Sequence, residues 1–486
     1  MNLSKLQQAA EFFEMDDLVQ AERLYKETIM SQPECGQAYL GLGLIALKVQ
    51  QFDNAVSFLT KSCELLPDKA LPLIHLSEAF NGVHSEVDAL TVLEYATKHL
   101  PNNAAVHYYL GLQYTICGDL EKAEQSLRKV ILLSKDPISS FALLELTRLE
   151  NPTEQYLSIL EERIGKTKIT AQEKTVLHYA LGNVFEGMQE YQQAWRHFES
   201  ANLLQAKRCE FKTSELKNFF IEIKATASLR VLSSQRMLPK DNYHPEIVPI
   251  FILGLPRTGS TLLEYLLTDH QDISSAGEVP YLSREVAKFL FSKTNSYYPY
   301  SMANITDEQL DTAAQIYLEK MAVHAKGKGY VIDKLPANFQ SIGLIYKLFP
   351  NAKVIHIQRN LPDVALSIYR NYFAENEPYF CSLNEFKQYH TLYMDLMEYW
   401  HSQLPEFIHE VSYEQLVVDK NNTIKTILDF CGLQSIIHGS HVPEVKKVIK
   451  TLSNVQVRRP MITKPIQHWH NYAEHLSLFK QSEQVD

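Results

Sequence analysis

In the N-terminal half of the chain, small and apolar positions recur with one long period. Alanines at Ala21, Ala55, Ala89 and Ala123 stand 34 residues apart, and prolines at Pro33, Pro67 and Pro101 keep the same step, with Pro137 two residues late. Large apolar residues fill a third position of that register at Tyr25, Leu59, Leu93 and Leu127, while Leu42-Gly43, Leu110-Gly111 and Leu181-Gly182 fall on the preceding segment. A period of this length predicts pairs of helices, with a small residue where two helices cross, a large one in the groove between them and a proline at the end of the second. One further unit spans 174–204, with Ala194 in the alanine slot, and a degenerate repeat occupies about 139–174 before it.

The pattern changes after residue 246. Ile247, Val248, Ile250, Phe251, Ile252 and Leu253 form an apolar, β-branched run, broken by Gly254, Pro256 and Gly259. Leu262, Leu263, Leu266 and Leu267 then resume at helical spacing, so a buried strand, a tight glycine turn and a helix start are expected. A helical segment to about Phe291 and a helix around Asp307 to Lys326 follow. Further strands are expected over Tyr330–Ile332, Ala352–Ile357 and Phe407–Val411. Strands alternating with helices call for a parallel sheet covered on both faces. Between the halves, 205–246 reads as a helix and then a proline-containing linker, with Tyr243 and His244 as ordinary linker residues.

The polar residues that interrupt the second half fall at strand ends. Gly254 to Thr261, Lys334, Arg359 and Tyr413 all follow predicted strands, and in open parallel sheets ligands sit beyond those carboxyl ends. One site can gather all four. The turn aims the N–H groups of Gly259, Ser260 and Thr261 at one point, where the helix dipole also favours an anion such as phosphate or sulfate. Gly254 to Gly259 imitates the nucleotide-binding pattern GxxxxGK[ST], yet Ser260 stands in the lysine position and a cation appears instead at Arg257. That weakens the case for ordinary ATP or GTP chemistry.

Composition narrows the class without choosing a ligand. Hydrophobic content of 45% and charged content of 21% belong to a folded chain, and 486 residues suggest more than one domain. A net charge of -10 argues against general nucleic-acid binding. The six cysteines are scattered without a CxxC pair, which predicts reduced thiols in a cytoplasmic setting and neither a disulfide framework nor a zinc site. The N-terminus lacks the pattern of a secretory signal, and no run approaches the length of a membrane span.

Two resemblances follow from these motifs. The 34-residue register resembles a tetratricopeptide-repeat solenoid, whose concave surface implies a protein partner, an acceptor or a scaffold role. PRTGST, from Pro256 to Thr261, resembles the phosphosulfate loop of sulfotransferases, which use 3′-phosphoadenosine 5′-phosphosulfate (PAPS). Arg359 and Ser367 in RNLPDVALS resemble the family's 3′-phosphate motif, and Tyr413 matches a position that contacts the nucleoside. Ser453 and Arg459, in LSNVQVRRP, are similar to a segment of tyrosylprotein and bacterial repeat-containing sulfotransferases that folds over the donor, although the tyrosylprotein branch has lysine in place of Arg459. The nearby HWHNYAEHL, with Trp469 and Tyr472, is similar to the bacterial branch, or else holds a core tryptophan.

The resemblance implies Glu278 as general base and Lys334 as the lysine that stabilises the bridging oxygen of the leaving phosphate, with Arg257, Thr258, Gly259, Ser260 and Thr261 on the phosphosulfate. His356 lies inside a strand, where it packs or pairs rather than acting as a base. The strand before Arg359 ends without an aspartate, so no metal is implied.

The expected fold class is α + α/β: a tetratricopeptide solenoid over 1–204, a helical linker over 205–246 and a P-loop-like sulfotransferase domain with a parallel sheet over 247–486. The expected function is PAPS-dependent sulfuryl transfer to a hydroxyl acceptor, a protein tyrosine, a sugar or a small molecule, with no nucleic acid and no membrane span. The alternatives are a P-loop-type kinase and a non-catalytic repeat adaptor with a degenerate sulfotransferase domain.

Overall fold

The small residues of the 34-residue period lie where paired helices touch. Ala21, Ala55, Ala89, Ala123 and Ala194 are fully buried, and a Cβ added to Gly43 would come within 2.5 Å of Leu59, one added to Gly111 within 2.7 Å of Leu127. The small and large positions of the period are therefore two sides of one contact. The structure, a computed structural model, describes residues 4–135, 137–149, 154–166, 168–208, 213–227, 247–373, 378–434, 448–451, 455, 458 and 467–479.

Two compact units divide the chain. The first comprises Met1–Ile169 with Val445–Lys450, and the second Thr170–Glu444 with Thr451–Asp486. In the first, helices pair as Lys5–Glu14 with Leu18–Ser31, Gly36–Lys48 with Phe52–Leu65, Ala70–Gly82 with Glu86–His99 and Ala104–Cys117 with Leu120–Leu133. The degenerate repeat contains the helices Pro137–Leu149 and Glu154–Ile164. The last pair, Ala171–Gly187 and Tyr191–Ala206, keeps the repeat pattern yet falls in the second unit. Its packing gives the reason: Trp195 stacks on Tyr369 at 4.9 Å, and the Asn202 and Gln205 amides donate to the carbonyls of Tyr369 and Phe373 at 2.7 and 2.8 Å.

The second unit holds a five-stranded sheet in the order β2-β3-β1-β4-β5, with every pairing parallel. The strands are β1 Val248–Gly254, β2 Ile273–Gly277, β3 Tyr330–Asp333, β4 Lys353–Gln358 and β5 Ile408–Ser412. Sequence reasoning expected four of these and missed β2, whose ISSAG is too short and too rich in small polar residues to stand out as a strand. One face of the sheet presents Ile250, Ile252, Ile332, Ile355 and Ile357 to Leu263, Leu267, Ile427 and Leu428. On the other, Phe251 stacks against Tyr317 and Phe349. Both faces are thus covered, as parallel sheets require.

Among the described residues no helix is long and apolar enough to cross a membrane. Five described cysteines, Cys35, Cys63, Cys117, Cys381 and Cys431, are free thiols.

Candidate active site

Parallel strands bring their carboxyl ends to one edge, so the residue that follows each strand faces the same side. Leu255 follows β1, Glu278 β2, Lys334 β3, Arg359 β4 and Tyr413 β5. Proximity in space comes from topology, not from proximity in sequence.

The turn after β1 is built from backbone that few side chains tolerate. Gly254, Arg257 and Gly259 have φ of 151°, 69° and 101°, and the helix Ser260–Leu267 starts directly behind them. Gly259 is its N-cap and has no side chain to close the first turn. The Thr258 hydroxyl donates to the Leu255 carbonyl at 2.8 Å, and the Thr261 hydroxyl lies 3.1 Å from that of Thr451. A Cβ at Gly259 would stand 2.3 Å from the Tyr413 ring. Gly259→Ala should therefore displace Tyr413 and cost about 1–3 kcal/mol of stability, read as a lowered denaturant midpoint at unchanged m-value.

Two guanidinium groups meet beside that turn. Arg257 Nε donates to Ser367 Oγ at 2.9 Å, and Arg359 Nη1 donates to the Arg257 carbonyl at 3.2 Å. Arg359 also lies over the Tyr413 ring, 4.5 Å from its centroid. Burial raises the Tyr413 pKa while the Arg359 charge opposes the shift. Ser367 is carried by the helix Leu361–Tyr369, whose N-cap Asn360 accepts from the Asp363 N–H. The Asp363 carboxylate in turn accepts the N–H groups of Gln467 and Trp469 at 3.0 and 3.2 Å.

On the other side of β1, Lys334 is 1% exposed, and its N–H donates to the Gly277 carbonyl at 2.9 Å. Its ammonium forms an ion pair with Glu278 and lies 3.7 Å from Glu264 Oε2. The preceding Asp333 is fully buried and accepts from the Tyr317 hydroxyl at 2.7 Å and the Asn338 amide at 3.0 Å. Burial pushes Asp333 up to about 7 against those two donors.

Arg257, Arg359, Ser367 and Tyr413 thus form one connected group, and Lys334 and Glu278 a second. Both sit at the edge where β1 ends. Ser453 and Arg459 lie outside the described residues, as do Tyr243 and His244. Tyr472 is buried, with its hydroxyl donating to Glu186 at 2.9 Å. His356 is fully buried within β4 and hydrogen-bonded to Tyr393. With His401 and Glu410 it makes a group whose ligand atoms lie within 4.8 Å of one another, the arrangement among the described residues that could hold a metal. Gln358 already donates to Glu410 in that group at 2.9 Å.

Sequence reasoning overlooked Glu264 and Ser275. The signal for Glu264 was present: an acid at the fifth position of the helix Ser260–Leu267, flanked by Leu262, Leu263, Leu266 and Leu267.

The donor set of this edge consists of guanidinium groups, an ammonium, hydroxyls and helix-terminal N–H groups, a chemistry suited to sulfate and phosphate esters. Comparison with known proteins agrees on the class: residues 249–436 match the family model described as Sulfotransferase family. The C-terminal region is accordingly similar to protein-tyrosine sulfotransferases. Protein-tyrosine sulfotransferase 1 of Danio rerio is 27% identical over 46% of this chain and 64% of its own length, and that of Homo sapiens 35% identical over 24% and 33%. An uncharacterized protein of Aquifex aeolicus is 28% identical over 80% of this chain, which spans about half of that protein (52%). A thermophilic TPR protein of Thermus thermophilus is 21% identical over 40% of this chain and 96% of its own, with a TM-score of 0.28.

Proposed function

We propose that the protein is a PAPS-dependent sulfotransferase acting on a hydroxyl acceptor, with a tyrosine hydroxyl as the acceptor suggested by the relatives' names. The observation that supports it most is the joining of Arg257, Ser367 and Arg359 beside a glycine turn that has serine where nucleotide hydrolases have lysine. In this reading Arg257, Thr258, Gly259, Ser260 and Thr261 hold the phosphosulfate, Arg359 and Ser367 the 3′-phosphate and Tyr413 the nucleoside. Ser453 and Arg459 are assigned to the phosphosulfate by resemblance alone.

PAPS, when bound, supplies the sulfuryl group: the acceptor oxygen bonds to sulfur as the sulfur–oxygen bond to the 5′-phosphate breaks, with the electron pair going to the phosphate. The chain's own residues manage charge and proton. Glu278 takes the acceptor proton as general base, while Lys334 and Arg257 meet the negative charge that develops on the departing phosphate. This assignment calls on Lys334 and Arg257 for the positive charge and on no metal. The repeats of the first unit are assigned to binding the acceptor or a protein partner, and the scattered thiols support a cytoplasmic setting.

Calorimetry with the bisphosphate product, 3′-phosphoadenosine 5′-phosphate (PAP), tests the reading against 5′-AMP and ATP-Mg. The protein should prefer PAP, and Arg359→Ala should weaken PAP by about 10–100-fold while changing 5′-AMP far less. Preference for ATP-Mg would instead favour a kinase.

A further inference from the structure

Lys334 is a buried cation with two carboxyl neighbours, and the proposed reaction removes the charge of one of them. Glu278 is its direct partner, 44% exposed, whereas Glu264, 16% exposed, approaches from the helix behind the glycine turn. Ser275 on β2 fixes this inner carboxyl: its hydroxyl donates to Glu264 Oε1 at 2.5 Å and accepts the Gly277 N–H at 2.9 Å. Four groups from two strand ends, one strand and one helix therefore form a continuous polar chain.

Resting on the sulfotransferase reading, we propose that Glu264 is a positioning residue, the counter-charge that keeps the Lys334 ammonium compensated and in place when Glu278 takes up the acceptor proton. A buried ammonium whose sole partner became neutral would be costly, and it would be free to leave the position in which it meets the departing phosphate. Glu264 removes that cost because its carboxyl lies 3.7 Å from the ammonium on the helix behind the glycine turn and is not the group to which the proton is assigned. The charged groups acting on it are Lys334 and Glu278. Burial raises its pKa, Lys334 and Ser275 oppose that, and the Glu278 charge adds to the rise. Neutralising Glu278 removes this last contribution, which favours the charged form of Glu264 at the step where the ammonium needs it.

The experiment compares denaturant midpoints in a double-mutant cycle in which Glu278→Gln stands in for the protonated base. Glu264→Gln should shift the midpoint at least twice as far in the Glu278→Gln background as in wild type, because only there does it leave the ammonium without either carboxylate partner. Lys334→Met should remove that excess, which a loss of packing alone would not show. Ser275→Ala should show the same excess in smaller degree, and it carries the test if the double variant does not fold. Equal shifts in the two backgrounds overturn the proposal while leaving the donor assignment standing. Failure of wild type to prefer PAP over 5′-AMP overturns the sulfotransferase reading itself.

Discussion

Replacing Glu278 with glutamine should lower turnover about 10²–10⁴-fold while leaving PAP affinity within about threefold of wild type. Glutamine keeps the length of the side chain, and its amide oxygen still accepts from the Lys334 ammonium, but it cannot take a proton. The substitution therefore removes the proposed proton acceptor with little change to the pocket. The split between kcat and binding is what distinguishes a base from a structural carboxylate, since loss of a structural group would weaken both. Single-turnover transfer from labelled PAPS, beside calorimetry with PAP, reads the two quantities separately. Turnover within about tenfold of wild type would place the proton on another group, and the Glu278 assignment would fall.

The residues that could be read from the sequence are those whose place is fixed by topology. Once 247–413 is seen as strands alternating with helices, Lys334, Arg359 and Tyr413 must share an edge with the glycine turn, and they do. The repeat period was legible for a similar reason. Ala55 and Gly43 are small because Leu59 and its neighbours leave no room, so close packing writes itself into the composition. What escaped notice was set by contacts across long sequence distances. β2 is five residues of mostly small side chains, and its strand character comes from pairing with β3 rather than from its own propensity. Glu264 looks like one charge among leucines until Lys334, 70 positions later, is seen beside it. The hairpin 171–206 carries the repeat signature, and nothing in that signature announces that Trp195, Asn202 and Gln205 pack on Tyr369 and Phe373.

That hairpin carries the second large effect, because it ties down the helix that bears Ser367. Glu186 accepts from Arg370 at 2.7 Å, from the Tyr472 hydroxyl at 2.9 Å and lies 3.1 Å from His468 Nε2. Arg370 immediately follows the helix Leu361–Tyr369, and Asp363 near the start of that helix holds the backbone of Gln467 and Trp469. The helix is thus anchored at both ends. Burial works against the Glu186 charge, yet Arg370, His468 and the Tyr472 hydroxyl hold its pKa down at about 2. A glutamate in the unfolded chain titrates near about 4.3, so the unfolded state binds the proton more readily. The stabilisation is therefore complete above that value and is lost as pH falls from about 4.3 through about 2. Glu186→Gln should cost about 2–4 kcal/mol at neutral pH, since it leaves the Arg370 charge without its anion in a half-buried setting. Denaturant unfolding at a series of pH values should show the gap between wild type and variant closing between about pH 4.5 and pH 2.5. A gap that is constant across that range would assign the loss to packing rather than to charge. PAP affinity should fall a few-fold in the same variant, because Ser367 depends on a helix whose C-terminal anchor has been weakened.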